Sequence, residues 1–318
     1  MPETRFVHLD CDTGIDDALT IAHLLAHPRV QLVGVSTVSG NTSAAQAAAN
    51  TLGLFALAGA EAGAEGGIPV AIGEHHPLAG EFHGGAPHVH GGNGVGDVVL
   101  PEAAQPVSDL TGPELLIASV REHPGAVDVL AIGPLTNLAR ALELDPELPA
   151  LVKSLTIMGG AVWVPGNITP AAEANIHNDA EAAEAVFAAD WRITLVPLDV
   201  TLQHGFDVEA QRALAGAGTA YHSALAAMLD RYLDFYASVT AVRRAALHDP
   251  LASMIVTGDS VPSEVRVTGL DVDTSREATR GRTSPDGARP ANIDVVTAVD
   301  GDPASVLLAQ LLAYRPGA

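Results

Sequence analysis

The chain has 318 residues, of which 47% are hydrophobic, enough for one large α/β domain or two smaller domains with buried cores. Its formal net charge of −22 argues against nucleic acid or an anionic membrane as a partner, because both require a basic surface. The only cysteine, Cys11, excludes a disulfide framework and a thiolate-rich zinc site. We find no apolar run of membrane-spanning length and no secretory signal, so we expect a cytoplasmic protein.

Short β-branched runs alternate with alanine-rich segments along the first two thirds of the chain. The runs typical of buried strands are Phe6 to Leu9, Val30 to Val38, Ile68 to Ile72, Val127 to Ile132, Ser154 to Met158 and Arg192 to Leu198. The segments typical of helices are Ala18 to Ala26, Thr42 to Leu57, Pro113 to Glu122, Leu135 to Leu144 and Asp179 to Ala189. This order predicts a single α/β domain over residues 1–318, doubly wound, with a mostly parallel sheet and flanking helices.

The other segments are less regular. Residues 73–108 show no period and carry five histidines among many glycines, which predicts a mobile loop. A helical pattern from Thr219 to Leu247 leads into His248-Asp249-Pro250, where Pro250 suits the first turn of the next helix. For the C-terminal part we predict strands at Val265 to Val267 and Asn292 to Val296, a polar turn from Arg280 to Pro290, and a last helix from Pro303.

Four acids lie within eight residues directly after the first predicted strand, in Asp10-Cys11-Asp12-Thr13-Gly14-Ile15-Asp16-Asp17. Buried carboxylates this close raise one another's pKa values and destabilise the fold, unless a cation or hydrogen-bond donors neutralise them. Capping of the next helix accounts for Asp16 or Asp17, but it leaves Asp10 and Asp12 unexplained. Oxygen ligands without a thiolate indicate Ca²⁺ or Mg²⁺.

An Asp-x-Asp pair after the first strand also occurs in aspartyl phosphatases, so a metal-dependent phosphatase is an alternative. That class has a hydroxyl residue at the fourth place after the first aspartate, where this chain has Gly14. It also uses a lysine to bind the phosphoryl group, and the only lysine here, Lys153, is not suitably placed. This alternative is therefore less favoured.

Polar side chains follow several predicted strands, and parallel strands bring such side chains to one edge of a sheet. Four of them are of the type that binds vicinal hydroxyls through paired donors and acceptors, although each could also be a loop cap: Asn41, Asn167, Glu173 and Asn175. Together with a metal they predict a sugar site. His248 beside Asp249 suits general-acid catalysis, while Asp249 and Pro250 equally suit the start of a helix.

Motifs along nearly the whole chain resemble those of the calcium-dependent nucleoside hydrolases, in the ribonucleoside group that includes the inosine-uridine-preferring enzymes. The acid cluster with Ala18 resembles the family's Asp-x-Asp-Pro-Gly-x-Asp-Asp-Ala signature, and Val38-Ser39-Gly40-Asn41 resembles its Val-x-Gly-Asn motif. Further matches are His88-Val89-His90-Gly91, Gly133-Pro134-Leu135-Thr136-Asn137, Met158-Gly159-Gly160, Glu173-Ala174-Asn175-Ile176 and His248-Asp249-Pro250. Several independent motifs at compatible spacing make the resemblance specific.

The resemblance implies hydrolysis of the N-glycosidic bond of ribonucleosides to ribose and free base. It implies a Ca²⁺-bound water that Asp12 deprotonates, and His248 as the acid toward the leaving base. The implied metal ligands are Asp12, Asp17, the backbone carbonyl of Ile132, and Asp249. The implied substrate-binding residues are Asp16, Asn41, His90, Met158, Asn167, Glu173, Asn175 and Asp249.

Two positions depart from the family pattern without removing an implied ligand: Thr13 replaces the usual proline, and Ile132 replaces a threonine of some members. His248 stands where the purine-specific branch has tryptophan, which favours the broad or pyrimidine-preferring branches and leaves the base preference open. Members of the family are usually dimers or tetramers, so the resemblance implies a homodimer or homotetramer. The alternative of a non-catalytic nucleoside or sugar binder on the same fold is disfavoured by the presence of His248 and Asp12.

Overall fold

A mixed eight-stranded sheet forms the centre of the computed structural model, which describes residues 4–60 and 67–316. The strands are β1 (Arg5–Cys11), β2 (Val30–Thr37), β3 (Val70–Ile72), β4 (Val127–Ala131), β5 (Ser154–Met158), β6 (Ile193–Val196), β7 (Gly205–Asp207), β8 (Arg244–Ala246), β9 (Pro262–Thr268), β10 (Leu270–Val272), β11 (Thr283–Pro285) and β12 (Ile293–Val299). The longer helices are α1 (Ile15–Ala26), α2 (Ala44–Ala58), α4 (Gly112–Glu122), α5 (Thr136–Leu144), α8 (Ala180–Ala188), α10 (Val208–Ala215), α11 (Ala220–Thr240), α12 (Asp249–Thr257) and α13 (Pro303–Ala313). The short helices are α3 (Pro87–His90), α6 (Leu148–Leu151), α7 (Ala174–Asn178) and α9 (Leu198–Thr201).

The strand order in the sheet is β3-β2-β1-β4-β5-β6-β12-β9, and every neighbouring pair is parallel except β12 with β9. The chain builds outward from β1 to β3 and then returns to β4 on the other side of β1. This reversal opens a crevice between the carboxyl ends of β1 and β4, where open α/β sheets bind ligands. The prediction of a doubly wound, mostly parallel α/β sheet is confirmed.

Apolar residues fill both faces of this sheet. In β4 the side chains of Val127, Val129 and Ala131 belong to one buried cluster, which also includes residues of α4, α5 and α8. Leu130 and Ile132 belong to the cluster on the opposite face, with residues of α1, α2, α11 and α12. Since successive strand residues point to opposite faces, a strand covered on both sides has a continuous apolar sequence.

Two of the expectations from the sequence are wrong. The helix predicted to run to Leu247 ends at Thr240, because Ala241 adopts a left-handed backbone (φ 59°) and residues 244–246 pair with β7 instead. The predicted polar turn from Arg280 to Pro290 contains β11, which pairs with β10. Both segments form short strands that depend on a distant partner rather than on a local pattern.

Residues 73–108 have only α3 as regular secondary structure. The mobility of this loop stays a prediction, as does the single domain over residues 1–318. No helix in the described ranges combines the length and apolar character needed to cross a membrane. The cytoplasmic location also stays a prediction.

Candidate active site

A cavity of about 310 Å³ opens at the crevice between β1 and β4. Ten of the residues predicted for the site line it: Asp16, Asn41, His90, Ile132, Met158, Asn167, Glu173, Asn175, His248 and Asp249. Asp12 and Asp17 do not line the cavity, but both accept hydrogen bonds from Asn41, which does. The fold therefore brings residues from seven separate parts of the sequence to one place.

Three buried carboxylates at this crevice are close enough to share a cation. Asp16, Asp17 and Asp249 each offer an oxygen within 4.8 Å of the other two. Asp12 is adjacent to this group, since its backbone N–H donates to Oδ1 of Asp17 at 3.2 Å. The sequence predicted Asp12, Asp17 and Asp249 as carboxylate ligands, whereas the group within 4.8 Å contains Asp17 and Asp249 with Asp16 in place of Asp12.

The electrostatics of these acids also fit a cation. Burial raises the pKa of Asp17 to about 7, with the charge of Asp16 adding to the effect. Burial likewise raises the pKa values of Asp12 and Asp249, and neighbouring carboxylates raise them further. Oδ1 of Asp12 and Oδ1 of Asp16 are buried and accept no hydrogen bond from the described residues. An oxygen-only donor set with excess negative charge suits a hard divalent cation.

The backbone around Asp12 places its carboxylate. Oδ2 of Asp12 accepts the backbone N–H of Asn41 at 2.6 Å. A Cβ atom on Gly40 would overlap that same oxygen, so the close approach of the two segments requires glycine at this position. The Gly-Asn part of the motif after β2 therefore holds the acid that follows β1.

Asp10 has a supporting position, fully buried at the end of β1. Its Oδ2 accepts hydrogen bonds from the Ser36 hydroxyl and from Nδ2 of Asn137 at 2.7 Å. Oδ1 of Asn137 in turn accepts the backbone N–H of Glu74 at 2.8 Å. Asp10 thus joins β1, β2 and α5 beneath the site.

The residues predicted to bind a sugar differ in how many of their side-chain atoms already have hydrogen-bond partners within the protein. The Glu173 carboxylate caps α7 and accepts backbone N–H groups of Gly160, Asn175 and Ile176 at 2.9 to 3.1 Å. Nδ2 of Asn175 donates to the Ile132 carbonyl at 2.8 Å, which leaves that carbonyl one further lone pair. Asn175 also lies 3.6 Å from the sulfur of Met158.

Asn167 and His90 lie at two other positions on the cavity wall. Oδ1 of Asn167 accepts the backbone N–H of Ala174 at 3.0 Å, which leaves its amide N–H₂ without a partner among the hydrogen bonds of the described residues. Nδ1 of His90 accepts the backbone N–H of Ile15 at 3.1 Å. Burial lowers the pKa of His90 to about 3, so the ring is neutral and carries its proton on Nε2.

His248 is held between two hydroxyls. Its Nδ1 lies 2.8 Å from Oγ1 of Thr201, and its Nε2 lies 2.6 Å from the hydroxyl of Tyr236. Burial lowers the pKa of His248, while the nearby charge of Asp16 acts in the opposite direction. The hydroxyl of Tyr232 donates to Oδ2 of Asp16 at 3.0 Å.

Several lining residues were not predicted from the sequence. Tyr232, Phe235, Tyr236 and Val239 form one face of α11 toward the cavity. Their spacing of three and four residues is the signal that could have found them, but the same spacing is typical of core helices. Thr201, which contacts His248 but does not line the cavity, had no signal in the sequence.

A doubly wound sheet with a carboxylate-lined cavity at its switch point is compatible with a hydrolase that acts with a metal ion. The sequence model of the protein family described as inosine-uridine preferring nucleoside hydrolase matches residues 7–304. The chain belongs to this family. The resemblance found in the sequence is confirmed. So is the enzyme class, a glycosidase that acts on N-glycosyl compounds.

Similar proteins differ in the base that their names indicate. Uridine nucleosidase 1 of Arabidopsis thaliana is 38% identical, over 78% of this chain and 72% of its own length. The inosine-uridine preferring nucleoside hydrolase of Crithidia fasciculata is 35% identical, over 89% of this chain and 88% of its own. The structure of the purine-preferring ribonucleoside hydrolase from Gardnerella vaginalis superposes with a TM-score of 0.90 at 28% identity, covering 98% of this chain and 99% of that one.

Proposed function

We propose that this protein hydrolyses the N-glycosidic bond of ribonucleosides to ribose and free base, with Ca²⁺ as its metal ion. The observation that carries the proposal is the group of Asp16, Asp17 and Asp249, whose oxygens lie within 4.8 Å of one another beside a cavity of nucleoside size. Family membership supports ribonucleoside hydrolysis as the reaction.

The residues that would hold Ca²⁺ are Asp12, Asp17, Asp249 and the backbone carbonyl of Ile132. When bound, Ca²⁺ lowers the pKa of a coordinated water and compensates the charge of the surrounding acids. Asp12 accepts the water proton at Oδ1, the oxygen that has no hydrogen-bond partner among the described residues.

The ribose lies against Asp16, Asn41, Met158, Asn167, Glu173, Asn175 and Asp249. N-glycoside cleavage passes through an oxocarbenium-like state, so positive charge develops on the sugar as the bond to the base breaks. The buried carboxylates stabilise that charge, because they act at short range in a site of low dielectric. Asp16 contributes most directly, since it lines the cavity and has one free oxygen.

The base lies against the aromatic face of α11, near His90 and His248. In its charged form His248 donates from Nε2 to the hydroxyl of Tyr236, which donates its own proton to the departing base. The 2.6 Å contact between these two atoms supports this path. Burial lowers the pKa of His248, and the charge of Asp16 opposes this effect by favouring the protonated imidazole.

We further propose that residues 1–318 form one domain and that the protein assembles as a homodimer or homotetramer. The match to the family over residues 7–304 supports the first part. Uridine and inosine are the substrates to test first, because both names recur among the similar proteins.

The decisive experiment measures release of reducing sugar from inosine, adenosine, guanosine, uridine and cytidine. We expect turnover of at least one of them with Ca²⁺ present, and a loss of about 10³-fold or more in Asp12→Ala, as for other catalytic bases. The matched control is Asp300→Ala, an exposed acid outside the cavity, which should retain full activity.

Undiminished turnover by folded Asp12→Ala would contradict the role of Asp12. Binding of ribonucleosides without any turnover would instead favour the non-catalytic binder. Release of inorganic phosphate from a generic phosphate ester, with no sugar released from nucleosides, would favour the phosphatase.

A further inference from the structure

Strand β9 forms one end of the central sheet, and within the described ranges no strand lies along its outer side. Residues 263–267 are all exposed, so neither face of the strand is covered. The exposed fraction is 41% for Val265 and 58% for Val267. An uncovered edge strand with apolar side chains is a template for pairing with another strand.

The opposite edge of the sheet does not offer the same opportunity. Strand β3 has only three residues. The backbone N–H of Ser108 donates to the Val70 carbonyl at 2.7 Å, and the Gln105 side chain donates to the Ile68 carbonyl at 2.6 Å. These contacts occupy backbone groups that a further strand would need.

The sequence of β9 is complementary to itself. In an antiparallel pair centred on Val265, Glu264 of one copy stands opposite Arg266 of the other, and this pairing occurs twice. Directly opposed side chains have Cβ atoms about 4.5 to 5.5 Å apart, within reach of an ion pair. On the other face, Val265 meets its own copy and Val267 meets Ser263.

We propose that β9 is the surface by which two copies of this chain associate, in antiparallel pairing about a two-fold axis at Val265. The pairing joins the two eight-stranded sheets into one continuous sheet. It satisfies the unpaired backbone groups of both edges and covers four exposed valine side chains, two from each copy.

The charge distribution supports a second copy as the partner. Two molecules that each carry a net charge of −22 repel one another over most of their surfaces. Strand β9 has one acid and one base, so its own net charge is zero, and within one copy Nη2 of Arg266 lies 3.2 Å from Oε1 of Glu264. The Arg266 guanidinium lies 4.7 Å from the centre of the Trp163 ring, which holds it on the face where Glu264 of the partner would stand.

A seven-residue strand pair is a small interface, in the class below about 1,200 Å² that is typical of weak complexes. We therefore expect a dimer that dissociates on dilution. Sedimentation velocity over a dilution series measures this association directly.

Cysteine cross-linking tests the register. The native Cys11 is fully buried, so the wild-type chain should form no disulfide dimer. Val265→Cys places two thiols opposite one another across the axis, and mild oxidation should give a covalent dimer. Ser263→Cys is the matched control, because position 263 is also exposed but the two copies of it are offset by four residues, about 13 Å along the strand.

Charge reversal tests the pairing without new covalent chemistry. Glu264→Arg and Arg266→Glu should each abolish the dimer, because each places like charges opposite one another, and the double variant should restore it. Glu209→Arg and Arg212→Glu are the controls, since this exposed pair on α10 is also intramolecular and lies outside β9. Circular dichroism should show an unchanged fold in all five variants.

Several outcomes would overturn the proposal. The first is that the wild-type chain stays monomeric at every concentration tested. That result would mean that the charges of β9 only protect a free sheet edge from pairing. If the dimer stayed intact in the single charge-reversal variants, the interface could not be at β9. A cross-link through position 263 but not through position 265 would overturn the two-fold axis at Val265.

Discussion

At the residue scale, hydrogen-bond partners and access to the cavity, rather than sequence position, decide what each acid of the cluster can do. Asp10 and Asp12 are separated by one residue, yet Asp10 accepts hydrogen bonds from Ser36 and Asn137 while Oδ1 of Asp12 has no partner among the described residues. Asp16 and Asp17 are adjacent, yet only Asp16 lines the cavity. A single cluster therefore contains one acid with two side-chain hydrogen-bond donors, one acid with a buried oxygen that has no partner among the described residues, and two adjacent acids of which one lines the cavity.

The hydroxyls around His248 lead to a prediction at the same scale. His248→Ala should slow hydrolysis of uridine by about 10²-fold or more, in the range expected for loss of a general acid. It should slow a nitrophenyl riboside far less, because that leaving group departs without a proton. The ratio of kcat/KM for the two substrates is the measurement.

Thr201→Val offers a milder version of the same test, because it removes the partner of Nδ1 without removing the ring. It should shift the ratio in the same direction, and Thr201→Ser should restore it. Equal losses on both substrates in His248→Ala would refute the general-acid role.

At the element scale, a buried contact joins α1 to the end of α12. Nδ1 of His23 lies 2.8 Å from Oγ of Ser253, and its Nε2 lies 3.0 Å from Oδ2 of Asp259. Burial alone would raise the pKa of Asp259, but hydrogen bonds from His23, Gln310 and Thr257 outweigh it and hold that pKa well below its usual range. The two helices that carry Asp16, Asp17 and Asp249 are thereby fixed relative to one another.

This contact makes stability depend on pH with a defined sign. A carboxyl whose pKa is lower in the folded state stabilises the fold above its unfolded pKa of about 3.9, and this contribution is lost as the pH falls below that value. Asp259→Asn should therefore lower the free energy of unfolding by about 1 to 2 kcal/mol at pH 7, as for loss of a charged hydrogen bond. The difference from wild type should shrink toward pH 3.

Urea unfolding at pH 7, 5 and 3 measures the effect. Asp300→Asn is the control, because Asp300 is exposed and should change stability little at any of these values. A difference that is constant across the series would exclude the ionised carboxylate as the cause.

At the scale of the whole molecule, the acids of the site oppose folding until a cation binds. A ligand at 100 times its dissociation constant stabilises the folded state by about 2.7 kcal/mol. For a large domain each kcal/mol corresponds to about 2 to 4 °C, so Ca²⁺ added to chelator-treated protein should raise Tm by several degrees. Mg²⁺ should raise it less, because Mg²⁺ requires a stricter octahedral geometry.

Asp249→Asn is the matched variant for this measurement. It removes one of the buried charges, so the metal-free variant should be at least as stable as the metal-free wild type, and the Ca²⁺ shift should largely disappear. An unchanged Tm of the wild type with saturating Ca²⁺ would contradict the metal assignment.

The sequence alone determined the class of fold, most helices and the family, because these depend on local patterns. Apolar runs that alternate with helical segments predicted β1 to β6, and the order of motifs along the chain identified the family. The same dependence on local patterns explains why β7, β8, β10 and β11 were not predicted. Each of these strands has three residues and gains stability only from a distant partner.

Only the tertiary structure decided which residues meet. Tyr232 and Asp16 are 216 positions apart, and Thr201 and His248 are 47 apart, so no periodicity connects them. The exposed edge at β9 likewise follows from the strand order of the sheet. The local sequence of a strand does not show whether it has one neighbouring strand or two. Sequence fixes which groups the chain carries, while burial and long-range contact set their charge, their partners and their use.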